Sequence, residues 1–267
     1  MNQQSKVAII GAGVMGEALI TALISSGVNP DRITISEKRE ERAQELISKY
    51  SIKVASLTDN VSEAEALLLV VKPQDMATVL EAIKGSINPN AVVITFAAGK
   101  TISFISNGLG TLNPVVRVMP NTPTLVGEGM AAASMGEGIT DAQRQFVLGF
   151  LAATGKVIEV SEELQDAVTA TSGSGPAYFF AFVEAMVAGA KELGLSEKDA
   201  TTLTIQTIVG AAKLLAESGK SATTLRENVT SPNGTTAAAL ASFGTDNLNV
   251  MVAKAMKAAR DRSQELA

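Results

Sequence analysis

The chain has 267 residues, 46% of them hydrophobic, a formal net charge of −5, no cysteine and no histidine. That length accommodates one or two domains with a packed core, and the mild negative charge gives no electrostatic basis for binding nucleic acid or an anionic membrane. The missing thiols and imidazoles exclude disulfides, thiolate catalysis and the common zinc ligands, so no metal site is expected, and any reduction must find a proton donor other than histidine.

The polar start Met1-Asn2-Gln3-Gln4-Ser5 leads straight into an apolar run and leaves no room for a signal peptide. No unbroken apolar stretch reaches membrane-spanning length, so a soluble cytoplasmic protein is expected. Lys6 to Ile10 reads as a central strand of a parallel sheet covered on both faces. Gly11-Ala12-Gly13-Val14-Met15-Gly16 then carries the pattern G-x-G-x-x-G and opens a helix running to about Ser26, stopped by Gly27. In that pattern the first glycine permits the tight turn, the second lets a pyrophosphate approach the backbone, and the third lets helix and strand pack closely. The free N–H groups and positive dipole end of the helix face the same anion. A glycine turn alone also fits an ordinary strand-helix junction. A second strand, Arg32 to Ser36, ends in Glu37, where an acid would hold the ribose hydroxyls of NAD. Lys38, Arg39 and Arg42 follow and suit the extra phosphate of NADP, so the stretch argues both ways.

Strands and helices continue to alternate at α/β spacing. A charged helix (Glu40 to Lys49), a short strand near Ile52 to Val54, a capped turn (Thr58 to Glu63) and a buried strand (Ala66 to Val71) come next. Pro73 starts a helix from Gln74 to Lys84, and Ala91 to Phe96 is a further strand ending in Ala97-Ala98-Gly99. Small residues at the carboxyl end of a parallel strand let a ligand lie against the backbone. Pro114 to Val118 is a strand, followed by the rigid loop Met119-Pro120-Asn121-Thr122-Pro123-Thr124. Strands Gly129 to Met135 and Lys156 to Val160 flank a helix from Asp141 to Ala153 and close the sheet, with antiparallel members at its edge.

From Ser161 onward only helices are expected. Pro176 to Leu193 is a long helix with Ser174 as its cap. Ser196-Glu197-Lys198-Asp199 forms a capping box for a second helix ending near Gly219, and two more helices span Thr235 to Phe243 and Asp246 to Leu266. Phe179, Phe180, Phe182, Val183, Met186 and Val187 make the first of these apolar nearly all round. Such a helix needs cover on every side, which points to a second subunit and an intertwined helical dimer.

Three stretches together, Met119-Pro120-Asn121-Thr122-Pro123, Thr171-Ser172-Gly173-Ser174-Gly175-Pro176-Ala177-Tyr178 and Thr230-Ser231-Pro232-Asn233-Gly234-Thr235-Thr236, resemble the signature segments of pyrroline-5-carboxylate reductases. The resemblance runs the length of the chain and includes Val71-Lys72-Pro73 and Ala97-Ala98-Gly99. It implies an α/β fold with a Rossmann-type dinucleotide-binding domain (1–161) followed by an all-α dimerisation and substrate-binding domain (162–267). It also implies a homodimer through the C-terminal helices, often assembled into rings of dimers, with NADPH, or alternatively NADH, as hydride donor, 1-pyrroline-5-carboxylate as substrate and L-proline as product.

Carried over by position, Gly11, Gly13, Val14, Met15 and Gly16 would face the coenzyme phosphates, and Glu37 and Arg39 the adenosine ribose. Asn60, Val71, Lys72, Pro73, Ala98 and Gly99 would line the rest of the groove, and Asn121 would sit by the nicotinamide. Asn228 would serve the coenzyme and substrate sites. Ser231, Gly234, Thr235 and Thr236 would bind substrate, with Thr236 in the catalytic role. The family usually has glycine where this chain has Asn233; asparagine tolerates a left-handed backbone, so the loop is expected to form.

The implied chemistry suits a chain without histidine. An imine can be protonated before it binds, and its carbon then accepts hydride, whereas a carbonyl substrate develops an alkoxide that needs a donor. A hydroxyacid dehydrogenase or broader imine reductase is the competing enzyme reading. The absent histidine, and the absence of lysine from the Gly173 to Tyr178 helix start, count against it. A catalytically silent dinucleotide sensor is the non-enzymatic reading, opposed by the intact Thr236 and Pro-Asn-Thr-Pro loop.

Overall fold

The computed structural model describes residue 1 and residues 4–266. Asn2 and Gln3 of the polar start, and Ala267, lie outside the described residues. The chain forms two compact units, one holding residues up to Ser174 together with the chain end from Ala259, the other Gly175–Ala258.

In the first unit the elements run β1 (Val7–Ile10), α1 (Val14–Ser25), β2 (Ile33–Ser36), α2 (Glu40–Tyr50), β3 (Lys53–Val54), α3 (Leu57–Ser62), β4 (Ala66–Leu69) and α4 (Met76–Ile83). β5 (Val92–Thr95), α5 (Ile102–Leu109), β6 (Val115–Met119), β7 (Gly129–Met135), α6 (Asp141–Ala152), β8 (Gly155–Glu159) and α7 (Gln165–Val168) complete it. The sheet order is β3-β2-β1-β4-β5-β6-β7-β8. All pairs from β3 to β6 are parallel; β7 runs antiparallel to β6, and β8 follows β7. The expected antiparallel edge is therefore present. The strand order reverses between β1 and β4, and such a switch point opens a crevice beyond the carboxyl ends of the strands.

Successive side chains of a strand point to opposite faces, and here both faces are apolar. Val7, Ile9, Ile33, Ile35, Leu68 and Ile94 join Leu19, Leu23 and Phe150 on one side. Ala8, Ile10, Leu67, Leu69 and Val93 join Met76, Leu80, Ile105 and Leu109 on the other. This double burial explains why β1, β4 and β5 read as continuous apolar runs.

The second unit holds α8 (Gly175–Glu192), α9 (Glu197–Glu217), α10 (Ala222–Asn228), α11 (Thr235–Thr245) and the start of α12 (Leu248–Glu265). Ser196 caps α9 by accepting from the Asp199 N–H at 3.1 Å, as its pattern predicts. Asn247, with φ 54°, separates α11 from α12. Ser174 is not a cap: its backbone is right-handed helical, because the helical path begins nine residues earlier at Gln165 and continues through a π-turn at Thr169–Gly173. Helices α5 and α10 were not anticipated; Thr101 and Ser221 cap them, accepting from the N–H groups of Phe104 and Thr224 at 3.1 Å each.

Candidate active site

β1 delivers the chain to Gly11, whose φ of +90° and lack of a side chain are both required: a Cβ there would lie 2.7 Å from the Val70 carbonyl oxygen. At Gly16 a Cβ would lie 2.4 Å from the Gly11 oxygen, so α1 can sit on the turn only with glycine at that position. Gly13 differs from both, with no neighbour within 4 Å of the Cβ it lacks. Gly13 also caps α1 without a side-chain hydrogen bond, leaving first-turn N–H groups without an intrahelical acceptor. The three glycines thus make a turn, an open approach and a close packing contact, in that order.

A cleft of about 760 Å³ opens beside them, lined by Ile10, Gly11, Gly13, Ser36 to Arg39, Ala55 to Leu57, Val70 to Lys72, Asp75 and Val79. Val14 is 63% exposed at the start of α1, with Met15 half-buried beside it. Glu37 is held in place: one carboxylate oxygen accepts from the Ala12 N–H at 3.1 Å, the other from the Arg39 N–H at 3.1 Å and Arg39 Nε at 3.0 Å. Burial would raise its pKa, but the hydrogen bonds from Arg39 and Ala12 outweigh it and hold the carboxyl below its ordinary value.

Arg42 is committed elsewhere. Its Nε donates to the Ala12 carbonyl at 3.1 Å, and its guanidinium pairs with Glu17 and, at 2.7 Å, with Glu45. Lys49 and the Tyr50 hydroxyl each donate to Glu17 at 2.8 Å. Lys49 first, then Arg42, lowers the Glu17 pKa to about 2 against the opposing effect of burial.

Other predicted coenzyme residues occupy less direct places. Asn60 is buried; its amide donates to the Thr34 carbonyl at 3.2 Å and Ser36 Oγ at 3.0 Å, which fixes the end of β2. Lys72 lines the cleft and Pro73 begins a 3₁₀ turn before α4. Ala98 is half-buried. Gly99, with φ +75°, packs under the chain end, where a Cβ would meet the Leu266 Cβ and the Ser263 carbonyl oxygen at 2.7 Å each. Asn121 uses both ends of its amide to brace the Pro-Asn-Thr-Pro loop, accepting from the Met130 N–H at 2.8 Å and donating to the Ser172 carbonyl at 3.1 Å.

One supporting cluster was missed in the sequence. Arg117, buried in β6, pairs with Asp166 at 3.1 Å and Glu162 at 3.5 Å, and Ser263 Oγ donates to the same Asp166 oxygen at 2.8 Å. Glu162 also accepts the Ile102 N–H at 2.7 Å. The network ties β6, α5 and the chain end together just before the Pro-Asn-Thr-Pro loop. Its only sequence signal was a charged residue inside the apolar run Val115-Val116-Arg117-Val118.

In the second unit, Asn228 is the exposed last residue of α10. Ser231 to Gly234 forms a turn closed by the Gly234 N–H on the Ser231 carbonyl at 3.1 Å. Pro232 followed by Asn233 at φ 60° is the residue pair of a type II turn, so asparagine adopts the left-handed backbone expected of it. Gly234 stands at the N-cap of α11, again without a side-chain hydrogen bond, and Thr235 and Thr236 occupy the first turn. Their main-chain N–H groups have no intrahelical acceptor and suit a carboxylate.

Comparison with known proteins agrees with this arrangement. Residues 162–266 match the family model described as pyrroline-5-carboxylate reductase dimerisation, and residues 6–99 match the one described as NADP oxidoreductase, coenzyme F420-dependent. A pyrroline-5-carboxylate reductase from Corynebacterium melassecola is 40% identical, over 97% of this chain and 98% of its own length. The one from Pseudomonas aeruginosa is 39% identical, over 98% of this chain and 97% of its own. Among solved structures, the pyrroline-5-carboxylate reductase of Coxiella burnetii superposes with a TM-score of 0.90 at 34% identity, covering 99% of each chain. The NADP-bound pyrroline carboxylate reductase of Plasmodium falciparum gives 0.89 at 26% identity, covering 100% of this chain and 99% of its own. With relatives this similar over nearly its whole length, the chain belongs to the pyrroline-5-carboxylate reductase family.

Proposed function

We infer that the protein is an NAD(P)H-dependent reductase that converts 1-pyrroline-5-carboxylate to L-proline, the last step of proline biosynthesis. The observation that carries this reading is the identity of about 40% to pyrroline-5-carboxylate reductases across essentially the full chain. The residues present fit the coenzyme: the place a Cβ would fill at Gly13 is open, and the cleft beside it is lined by the end of β2. When bound, the reduced nicotinamide supplies the hydride.

Within this reading, Gly11, Gly13 and Gly16 with the opening turn of α1 receive the pyrophosphate, and Val71, Lys72 and Pro73 line the groove. Asn60, Gly99 and Asn121 hold the surrounding turns in position, as their contacts support. On the substrate side, the main-chain N–H groups opening α11 take the carboxylate, which explains how recognition proceeds without an arginine in Ser231 to Thr236. The Thr236 hydroxyl accepts a hydrogen bond from the iminium N–H, which orients the ring, and relays a proton from water to the product amine once the hydride has been added. With a free pKa far above neutrality, it does not titrate as an acid, and none is needed for a substrate that arrives as an iminium. Most of the rate then comes from alignment of the reactants, for which effective molarity supplies up to about 7–11 kcal/mol.

We divide the labour at residue 161: residues 1–161 serve the coenzyme, and 162–267 serve dimerisation and the substrate. The dimerisation match and the exposed Phe179 and Phe180 support a homodimer, and we propose rings of such dimers in the cytoplasm. The test is to mix purified protein, reduced coenzyme and 1-pyrroline-5-carboxylate. Oxidation of coenzyme with stoichiometric proline is expected; absence of both would end this reading.

A further inference from the structure

The segment after β2 is ambiguous as sequence, because Glu37 suits the ribose hydroxyls of NADH while Lys38, Arg39 and Arg42 suit the phosphate of NADPH. The side-chain arrangement is not symmetrical between the two. Glu37 leaves β2 directly beside the glycine turn, since Ile10 pairs with Ser36 and the Gly11 N–H donates to the Ser36 carbonyl at 3.1 Å. Its side chain is only 8% exposed, against 64% for Arg39. The Ala12 N–H, at 3.1 Å, pins the carboxylate to the loop that receives the coenzyme. An acid held in that way cannot swing out to make room for a second anion.

The cations are less well placed. Arg42 is only 16% exposed and is spent on Glu17, Glu45 and the Ala12 carbonyl. Arg39 donates three hydrogen bonds to Glu37, through its N–H, Nε and Nη2 at 3.1, 3.0 and 3.3 Å. Together with the Ala12 N–H, these fill the roughly four acceptor positions of a carboxylate. Arg39 therefore occupies the seat that ribose hydroxyls would take, and being exposed it is the partner that can leave. An ionised carboxylate accepts hydrogen bonds and donates none. It can exchange Arg39 for two hydroxyls, whereas a phosphate oxygen in the same place offers it no donor and a like charge.

We infer that Glu37 sets the coenzyme preference of this chain toward NADH, with Arg39 the displaceable occupant of the ribose seat rather than a phosphate receptor. Lys38 also lines the cleft, but a point charge there does not move the anchored acid. The inference rests on the coenzyme role proposed above for this cleft and goes beyond it by choosing between the two nucleotides.

The experiment measures kcat/KM for NADH and for NADPH on the wild-type protein and on Glu37→Gln, and titrates binding of each nucleotide with no imine present. Both readouts are ratios taken on one preparation, so a loss of folded protein in the variant cancels. The wild type should favour NADH by about tenfold or more, and Glu37→Gln should reduce that ratio at least about tenfold by admitting NADPH. Equal use of the two nucleotides or preference for NADPH in the wild type, or a ratio in the variant within about twofold of wild type, overturns the inference. If neither nucleotide supports turnover but the titrations still rank them, the imine-reductase reading fails and the preference is judged on binding alone.

Discussion

Strands β1, β4 and β5 in the first unit are buried along their whole length, and the glycine turn after β1 is secured by contacts within that unit. In the second unit, α8 leaves Phe179 and Phe180 62% and 63% exposed, α9 leaves Leu203 and Val209 at 55% and 54%, and Val250 and Met251 stand at 64% and 59%. Isolated exposed apolar residues are ordinary, but a bundle bearing this many large ones marks an interface. The contrast teaches that the first unit closes its core within one chain, whereas the helical unit carries an apolar face that a second copy covers.

The sharpest way to break that comparison is Phe179→Asp with Phe180→Asp. Each phenylalanine side chain is worth about 1.5–3 kcal/mol when buried, and two carboxylates in their place oppose any apolar partner. Sedimentation should show monomers, and turnover should fall at least about 100-fold while dinucleotide affinity stays within about threefold. Dimers that persist, or coenzyme binding that is lost along with turnover, would contradict it.

A smaller effect is expected where the first unit closes on itself. Gly99→Ala places a methyl group against Leu266 and the Ser263 carbonyl at a positive φ, which should cost about 1–3 kcal/mol in a denaturant titration. A neutral result would mean that the chain end does not secure this turn. Smaller still is the acid response of the Glu17 cluster. Its folded pKa of about 2 lies below the ordinary 4.5, so its stabilisation is full above pH 4.5 and fades as pH falls towards 2. Glu17→Gln should flatten the acid side of the stability curve in that window; an unchanged slope would remove Glu17 from the account.

How much of this was legible in advance follows from the range of the interactions. The glycine turn and the flanking strands were readable because turn, strand and helix signals lie within a few residues of one another. The left-handed Asn233 was readable only through the family resemblance, because the glycine usual at that position marks a backbone that asparagine also tolerates. Helix α5 was missed because Ile102, Phe104 and their serine neighbours alternate like a strand, although Thr101 and Gly110 mark its two ends. Ser174 was misread as a cap because nothing local announces the π-turn at Thr169–Gly173, whose last residue has Met119 where a Cβ would stand. The Arg117 network joins residues 49 and 97 positions apart, Arg117 to Asp166 and Asp166 to Ser263, a separation that no local pattern encodes. Asn60 and Asn121 were legible as important positions, but their hydrogen bonds put them in the frame around the cleft.

The division of labour between the two regions is tested most directly by one variant measured in two ways. Thr236→Ala removes a single hydroxyl at the start of α11 and should lower kcat for imine reduction about 100-fold, with the dissociation constant of the reduced coenzyme unchanged within about twofold. Parallel loss of turnover and coenzyme binding, or full retention of turnover, would contradict the account.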